Sequence, residues 1–219
     1  TVAEMRRFDP QNIANTLWAY ATLEMVPGSE LLGGLASHAL AHFSAGNFIV
    51  DGLSQLHLFL VFLKLESAPQ DASVEILTIL EQRLGAAGRA AMADSKATVS
   101  DLQRQVVASV KRLGYDYEEE TKDPVSGYSI DLLVQPSASS GSDYRSTLGI
   151  AIEVDGPAHF LSNTRQANGS TLLKRRLLKK LGYRVVSVPY WEWGIKDDNE
   201  HDAYLRRLLS VTVEDALDS

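Results

Sequence analysis

The sequence predicts an α+β protein: α-solenoid-like helical repeats over residues 1–90, then an α/β unit with a mixed sheet over residues 98–213. Three observations carry this. Apolar residues recur at helical spacing through the first part of the chain. That pattern returns after a shift of about forty residues. From Ser100 onward the order reads helix, strand, strand, strand, helix, strand. Hydrophobic (45%) and charged (22%) fractions over 219 residues are those of an ordinary folded protein, which argues against wholesale disorder.

The totals also exclude some functions. The absence of cysteine removes disulfide scaffolds, zinc–cysteine sites and thiol catalysis. A formal charge of −7 argues against coating nucleic acid by bulk electrostatics. The longest strongly apolar run, Leu56 to Leu63, carries His57 and is far too short to span a bilayer, so no membrane insertion is expected. The chain opens on Thr1 rather than Met, as expected of a processed or partial product with further helical repeats ahead of it.

Asp9 and Pro10 give the first helix its N-cap and first helical position, and Ile13, Leu17 and Ala21 form its apolar stripe with Trp18 beside it. Pro27-Gly28 breaks that helix and Ser29 is the expected cap of the next, which turns Leu31, Leu32, Leu35, Ala36, Ala39, Leu40 and Phe43 inward. The shifted pattern lays Ile13 on Leu53 and Trp18 on Leu58. One residue more lays Ala39 on Leu80 and Phe43 on Leu84. Helix pairs at this period read as an α-solenoid; the alternative is a plain helical bundle. His38 and His42 have the spacing of a metal pair but no third ligand, so they read as surface or packed histidines.

Gly85-Ala86-Ala87-Gly88, with the small residues that run on to Ala97, is the expected boundary. Ser100 caps a helix from Asp101 to Leu113 that Gly114 ends. Tyr115 to Glu120 reads as an acidic edge strand, Asp123-Pro124 and Ser126-Gly127 as turns, and Tyr128 to Val134 as a second strand. Residues 135–146 are Ser-rich and loop-like. Ile150 to Val154 is a buried strand, Ser162 to Ser170 a polar loop, Thr171 to Gly182 a basic helix and Tyr183 to Tyr190 the last strand. A closing helix places Tyr204, Leu205, Leu208 and Leu209 inward.

Candidate chemistry gathers on the third strand. Glu153 and Asp155 share one face about 7 Å apart, with His159 four residues on. Two carboxylates there need a cation or a basic partner, because leaving them unpaired in the interior costs several kcal/mol, on the order of 3–5. One reading is a metal site of Asp131, Glu153 and Asp155 holding Mg²⁺ or Mn²⁺, with His159 as general base or phosphate contact. The other pairs the carboxylates with Lys174, Arg175 or Arg176 and hydrogen-bonds His159 to a strand-end carboxylate. Lys174, Arg175, Arg176, Lys179 and Lys180, with Arg184 nearby, form a basic group that in an acidic chain reads as a phosphate-binding patch. Trp191 and Trp193 alternate on a strand end; both suit a core, and Trp191 is the candidate for stacking on a base.

Three resemblances extend this reading. Pro10-Gln-Asn-Ile-Ala-Asn-Thr-Leu-Trp-Ala-Tyr-Ala-Thr-Leu23 resembles the helical repeats of octotricopeptide, heptatricopeptide and FAST-kinase-like organellar RNA-associated proteins. Asp131 and Glu153 on successive strands are arranged as in restriction-endonuclease-like nucleases, although Asp155 stands where that motif normally has a Lys. Ile152 to Phe160, Gly169 to Leu178 and Gly182 to Trp193, in that order, resemble the RAP domain, which typically closes such organellar proteins. The resemblance implies mitochondrial or plastid RNA metabolism and a restriction-endonuclease-like fold. RNA binding without catalysis is the expected function, with two alternatives beside it. The expected protein is an RNA-binding factor acting in organellar RNA processing, stability, translation or ribosome assembly. One alternative is a structural subunit of a mitochondrial ribosome or similar complex, with protein partners there. The other is a divalent-metal-dependent RNA endonuclease.

Overall fold

A computed structural model describes residues 7–66, 71–94, 99–135, 148–194 and 197–210. Most of the Ser-rich stretch read as a loop (136–146) lies outside the described residues, as do the start of the first expected segment and both ends of the second. The chain divides into two compact units, Thr1–Ser95 with Pro124–Gly127, and Lys96–Asp123 with Tyr128–Ser219.

The first unit is built from α1 (Pro10–Thr22), α2 (Ser29–Ser44), α3 (Val50–Glu66) and α4 (Asp71–Asp94). Asp9 caps α1 as expected, its side chain accepting from Asn12 N–H at 2.7 Å, with Pro10 in the first turn. At α2 the cap is Gly28 rather than Ser29, and no side chain closes that end. Helix α1 packs on α3, α2 on α4, and α3 on α4, so α3 is buried almost all round. Ile13, Leu17, Ala21, Leu32, Leu35 and Ala39 form the core stripes, and Leu80 and Leu84 bury where the repeat aligns them with Ala39 and Phe43.

The division between Ser95 and Lys96 falls within the expected boundary stretch, at its far end, while the glycines at its near end are helical. Gly85 and Gly88 lie inside α4, and a Cβ on Gly88 would stand 2.7 Å from His57 Cβ and 3.3 Å from the Leu53 carbonyl oxygen. Small residues there let two helices approach closely. His57 is itself buried, its Nε2–H donating to the Val125 carbonyl at 3.1 Å, and burial lowers its pKa.

The second unit runs α5 (Asp101–Arg112), β1 (Tyr117–Lys122), β2 (Ser129–Val134), β3 (Ile150–Asp155), a 3₁₀ turn (Pro157–His159), α6 (Gly169–Leu181), β4 (Arg184–Pro189), α7 (Tyr190–Trp193) and α8 (Asp198–Ser210). The sheet is four-stranded in the order β1-β2-β3-β4, antiparallel up to β3 and parallel between β3 and β4. A parallel pair requires a crossover, which the chain makes through α6. Ser100 caps α5 through Gln103 N–H at 3.1 Å, and Gly182, with φ near 105°, ends α6 in the left-handed conformation.

One sheet face buries Leu132, Ile150, Ile152, Val154, Val186 and Val188 with α5 and α8 residues such as Val106, Val110, Leu205 and Leu209. A second cluster packs Ile130, Leu133 and Ala151 with Leu178 of α6 and Tyr183. Period-two alternation thus sends Ile150, Ile152 and Val154 one way and Ala151, Glu153 and Asp155 the other, towards the basic helix. The last strand is shorter than expected. Trp191 and Trp193 lie on one helical turn after Pro189, not alternating on a strand, because Pro189 has no N–H to extend the ladder and instead caps α7.

Candidate functional site

Glu153 and Asp155 are 2% and 1% exposed, so each carries a buried charge that needs a partner. Helix α6 supplies both. Its N-terminal turns face the sheet because Leu173, Leu177 and Leu178 are buried, which carries Lys174 and Arg175 to the same side. Lys174 Nζ donates to Glu153 Oε2 and Arg175 Nη2 to Asp155 Oδ2. Arg175 also donates to Ser187 Oγ at 2.8 Å, and Ser187 in turn donates to Asp155 Oδ2. Ser187 sits on β4 opposite Glu153, the place from which it can close this network. On the open side His159 Nδ1 stands 3.0 Å from Asp155 Oδ1. Asp131 points its carboxylate at the backbone, accepting from Val154 N–H at 2.7 Å.

The electrostatics follow. Burial pushes the Glu153 carboxyl up to about 7, only partly offset by Lys174 and reinforced by Asp131 and Asp155. Asp131 is raised as well, by burial first, against the pull of Lys174 and the Val154 N–H. Burial alone would raise Asp155 too, but hydrogen bonds from His159 and Ser187 together with the Arg175 charge outweigh it and hold Asp155 below the ordinary carboxylate range. The Asp155 hydrogen bond raises His159, against some loss of hydration.

Asp131, Glu153 and Asp155 each have one carboxylate oxygen engaged by another group, the Val154 N–H, Lys174 and Arg175 respectively, while Glu153 Oε1 is buried without a hydrogen-bond partner. Among the described residues no three His, Asp or Glu side chains converge as a cation site. Of the basic group, Lys174 and Arg175 turn inward and are neutralised, while Lys179 and Lys180 remain exposed. Arg176 is half-buried, its charge acting on Tyr128.

The raised pKa of His159 makes a pH-dependent contribution. A folded-state value above the unfolded one adds stability that is full below about 6.5 and is lost as pH rises through the folded value. The melting difference between wild type and His159→Gln is therefore expected to be larger at pH 6 than at pH 9. An equal difference at both would remove the ion pair from the account.

A second group forms at the carboxyl ends of β3 and β4, where open α/β sheets place their ligand crevices. Phe160 follows β3; Tyr190 and Trp191 follow β4. The Phe160 and Trp191 rings meet edge-on at 4.3 Å between centroids, and Tyr190 meets Trp191 at 5.1 Å. The Arg165 guanidinium lies over Trp191, 5.4 Å from its centroid. Among the described residues no carboxylate pairs with Arg165. Trp193, by contrast, is core: 1% exposed, stacked on His201 at 3.9 Å, its Nε1–H donating to Gln105 Oε1 at 3.0 Å. Of this cluster the sequence reading picked out Trp191 alone. Phe160 and Tyr190 lie inside the segments that resemble the RAP domain, but nothing local in the sequence says that three rings and an arginine converge.

Residues 152–208 match the RAP domain, so the chain carries that domain from Ile152 in β3 to Leu208 in α8. Over 94% of its length the chain is 28% identical to a chloroplastic RAP domain-containing protein of Oryza sativa subsp. japonica, of which it spans 31%. It is 44% identical over 61 residues to the mitochondrial FAST kinase domain-containing protein 3 of Homo sapiens, and 41% identical over 63 to FAST kinase domain-containing protein 1 of Mus musculus. Those matches cover 27% of this chain and 9% and 8% of the two relatives.

Proposed function

We propose that this protein binds RNA in a mitochondrion or plastid and acts there in gene expression, with the RAP domain as its contact. One observation carries the reading: Arg165, without a carboxylate partner among the described residues, lies on Trp191 in a partly exposed cluster with Phe160 and Tyr190. A cation beside aromatic faces is what a sequence-tolerant contact with phosphate and base requires. Exposed Lys179 and Lys180 add positive charge on α6. The chloroplastic and mitochondrial relatives support the organellar setting.

The helix–strand–strand–strand–helix–strand order supports descent of residues 98–213 from a restriction-endonuclease-like fold, with residues 1–90 as helical repeats. In this reading Asp131, Glu153 and Asp155 keep ancestral positions, and Lys174 and Arg175 have taken over the charge balance of the latter two. A structural subunit of an organellar ribosome or similar assembly is the second reading, favoured by the net charge of −7.

The test is incubation of the protein with single-stranded RNA in Mg²⁺ and in Mn²⁺, followed by filter retention and a gel. The expected result is salt-sensitive retention of intact RNA. Cleavage that disappears in Glu153→Ala would make the protein a nuclease and overturn the structural role given to the carboxylates. No retention, with co-sedimentation alongside ribosomal particles, would favour the second reading.

A further inference from the structure

The loop between β3 and α6 is a built structure. Phe160 bridges Ala167 across it, Leu161 N–H donates to the Gln166 carbonyl at 2.9 Å, and Gln166 N–H donates to Thr164 Oγ1 at 3.1 Å. Asn168 ties its base by donating from Nδ2 to the Ala158 carbonyl at 2.8 Å, while its Oδ1 caps α6 through Thr171 N–H at 3.0 Å. Asn163 turns the tip with φ near 61°, the left-handed region that Asn tolerates better than most residues. A loop fixed this way loses little freedom when something binds against it.

Between this loop and α7 lies an open pocket of about 830 Å³, lined by Pro157, Ala158, the run from Phe160 to Arg165, and Tyr190. Its volume lies within the range of about 300–1,000 Å³ typical of small-ligand sites. The lining combines three kinds of group. Tyr190, 42% exposed, offers an aromatic surface beside Phe160. Ser162 and Asn163 at the tip offer a hydroxyl and an amide. Arg165 offers a guanidinium held against Trp191 at the rim. Apolar ring, polar edge and cation are the three needs of one nucleotide: base face, base edge and phosphate.

Resting on the RNA-binding reading above, we propose that this pocket takes one unpaired nucleotide of a single strand. Its base stacks on Tyr190, Ser162 and Asn163 face the base edge, and Arg165 holds the phosphate. A base inside a duplex cannot present its face without being unpaired and unstacked, so single strands are selected over duplex of the same sequence.

The experiment titrates the whole chain with a uridine or adenosine oligomer, and with the same oligomer annealed into duplex. Filter retention and tryptophan fluorescence are recorded together. Trp191 is one of three tryptophans, and Trp191→Phe identifies its share of the signal. Expected are quenching by the single strand, weaker duplex binding, an affinity loss of about tenfold in Tyr190→Ala, and a salt slope shallower by about one in Arg165→Ala. Both variants alter exposed side chains, and a melting curve confirms their folding. Retention unchanged in both variants, or equal for single strand and duplex, would overturn the pocket while leaving RNA binding in place. No retention of either RNA by the wild type would overturn both.

Discussion

Replacing Arg175 by methionine is expected to destabilise the second unit by about 3–5 kcal/mol at neutral pH, the range measured when one partner of a buried ion pair is removed. Asp155 is 1% exposed, and Arg175 donates both to it and to Ser187, so the variant strands a buried carboxylate with a serine and a half-exposed histidine as its remaining partners. At about 2–4 °C per kcal/mol for a chain of this size, the melting transition falls by on the order of 10 °C. The sign of the pH dependence is fixed. Asp155 is held below its usual range in the folded protein, so its contribution is present above about pH 4 and is lost as pH falls through the folded value. The gap between variant and wild type therefore closes in acid. Thermal denaturation from pH 3 to 8 checks this, and a variant that melts with wild type at pH 7 would show that the pair is not buried as described.

The second large effect is expected in the helical unit. Gly88→Val puts a branched side chain where even a Cβ comes within 2.7 Å of His57 Cβ and 3.3 Å of a backbone oxygen. Neither neighbour is the free end of a flexible chain, so α3 and α4 must separate. Overpacking of this kind costs about 1–3 kcal/mol, and the gain in helix propensity over glycine recovers only a few tenths, roughly 0.3–0.5 kcal/mol. Gly33 is the internal comparison. A Cβ there meets only Ile76 Cδ1 at an ordinary 3.8 Å, so Gly33→Ala is expected to stabilise by up to about 1 kcal/mol. Paired denaturant titrations would separate the two. If both substitutions acted alike, the close approach of α3 and α4 at Gly88 would be refuted.

These two sites also show what the sequence made legible. Glu153 and Asp155 could be put on one face because strand alternation is local. Their partners could be narrowed to Lys174, Arg175 or Arg176, because the crossover from β3 returns a basic helix to that face. The choice among the three depends on how α6 is rotated, which Leu173, Leu177 and Leu178 set by burying against the sheet. The boundary stretch is legible in composition, and the units divide at its far end, between Ser95 and Lys96. Gly85-Ala86-Ala87-Gly88 resembles a linker in composition, yet Leu80, Leu84, Gly88 and Ala91 recur at helical spacing, and the three with side chains are all buried. Trp191 and Trp193 were placed by extending a strand through Pro189, where the missing N–H ends it. The aromatic cluster was the least accessible, since Phe160, Arg165 and the Tyr190–Trp191 pair come from two segments joined only by the fold.

The central claim is that RNA contacts the strand-end surface formed by Phe160, Arg165, Tyr190 and Trp191. Ultraviolet crosslinking of bound single-stranded RNA, with the crosslinked peptides identified by mass spectrometry, tests it most directly. Crosslinks at Phe160, Tyr190 or Trp191 are the predicted result. Crosslinks confined to the helices of the first unit, with none on residues 157–165 or 190–191, would contradict it.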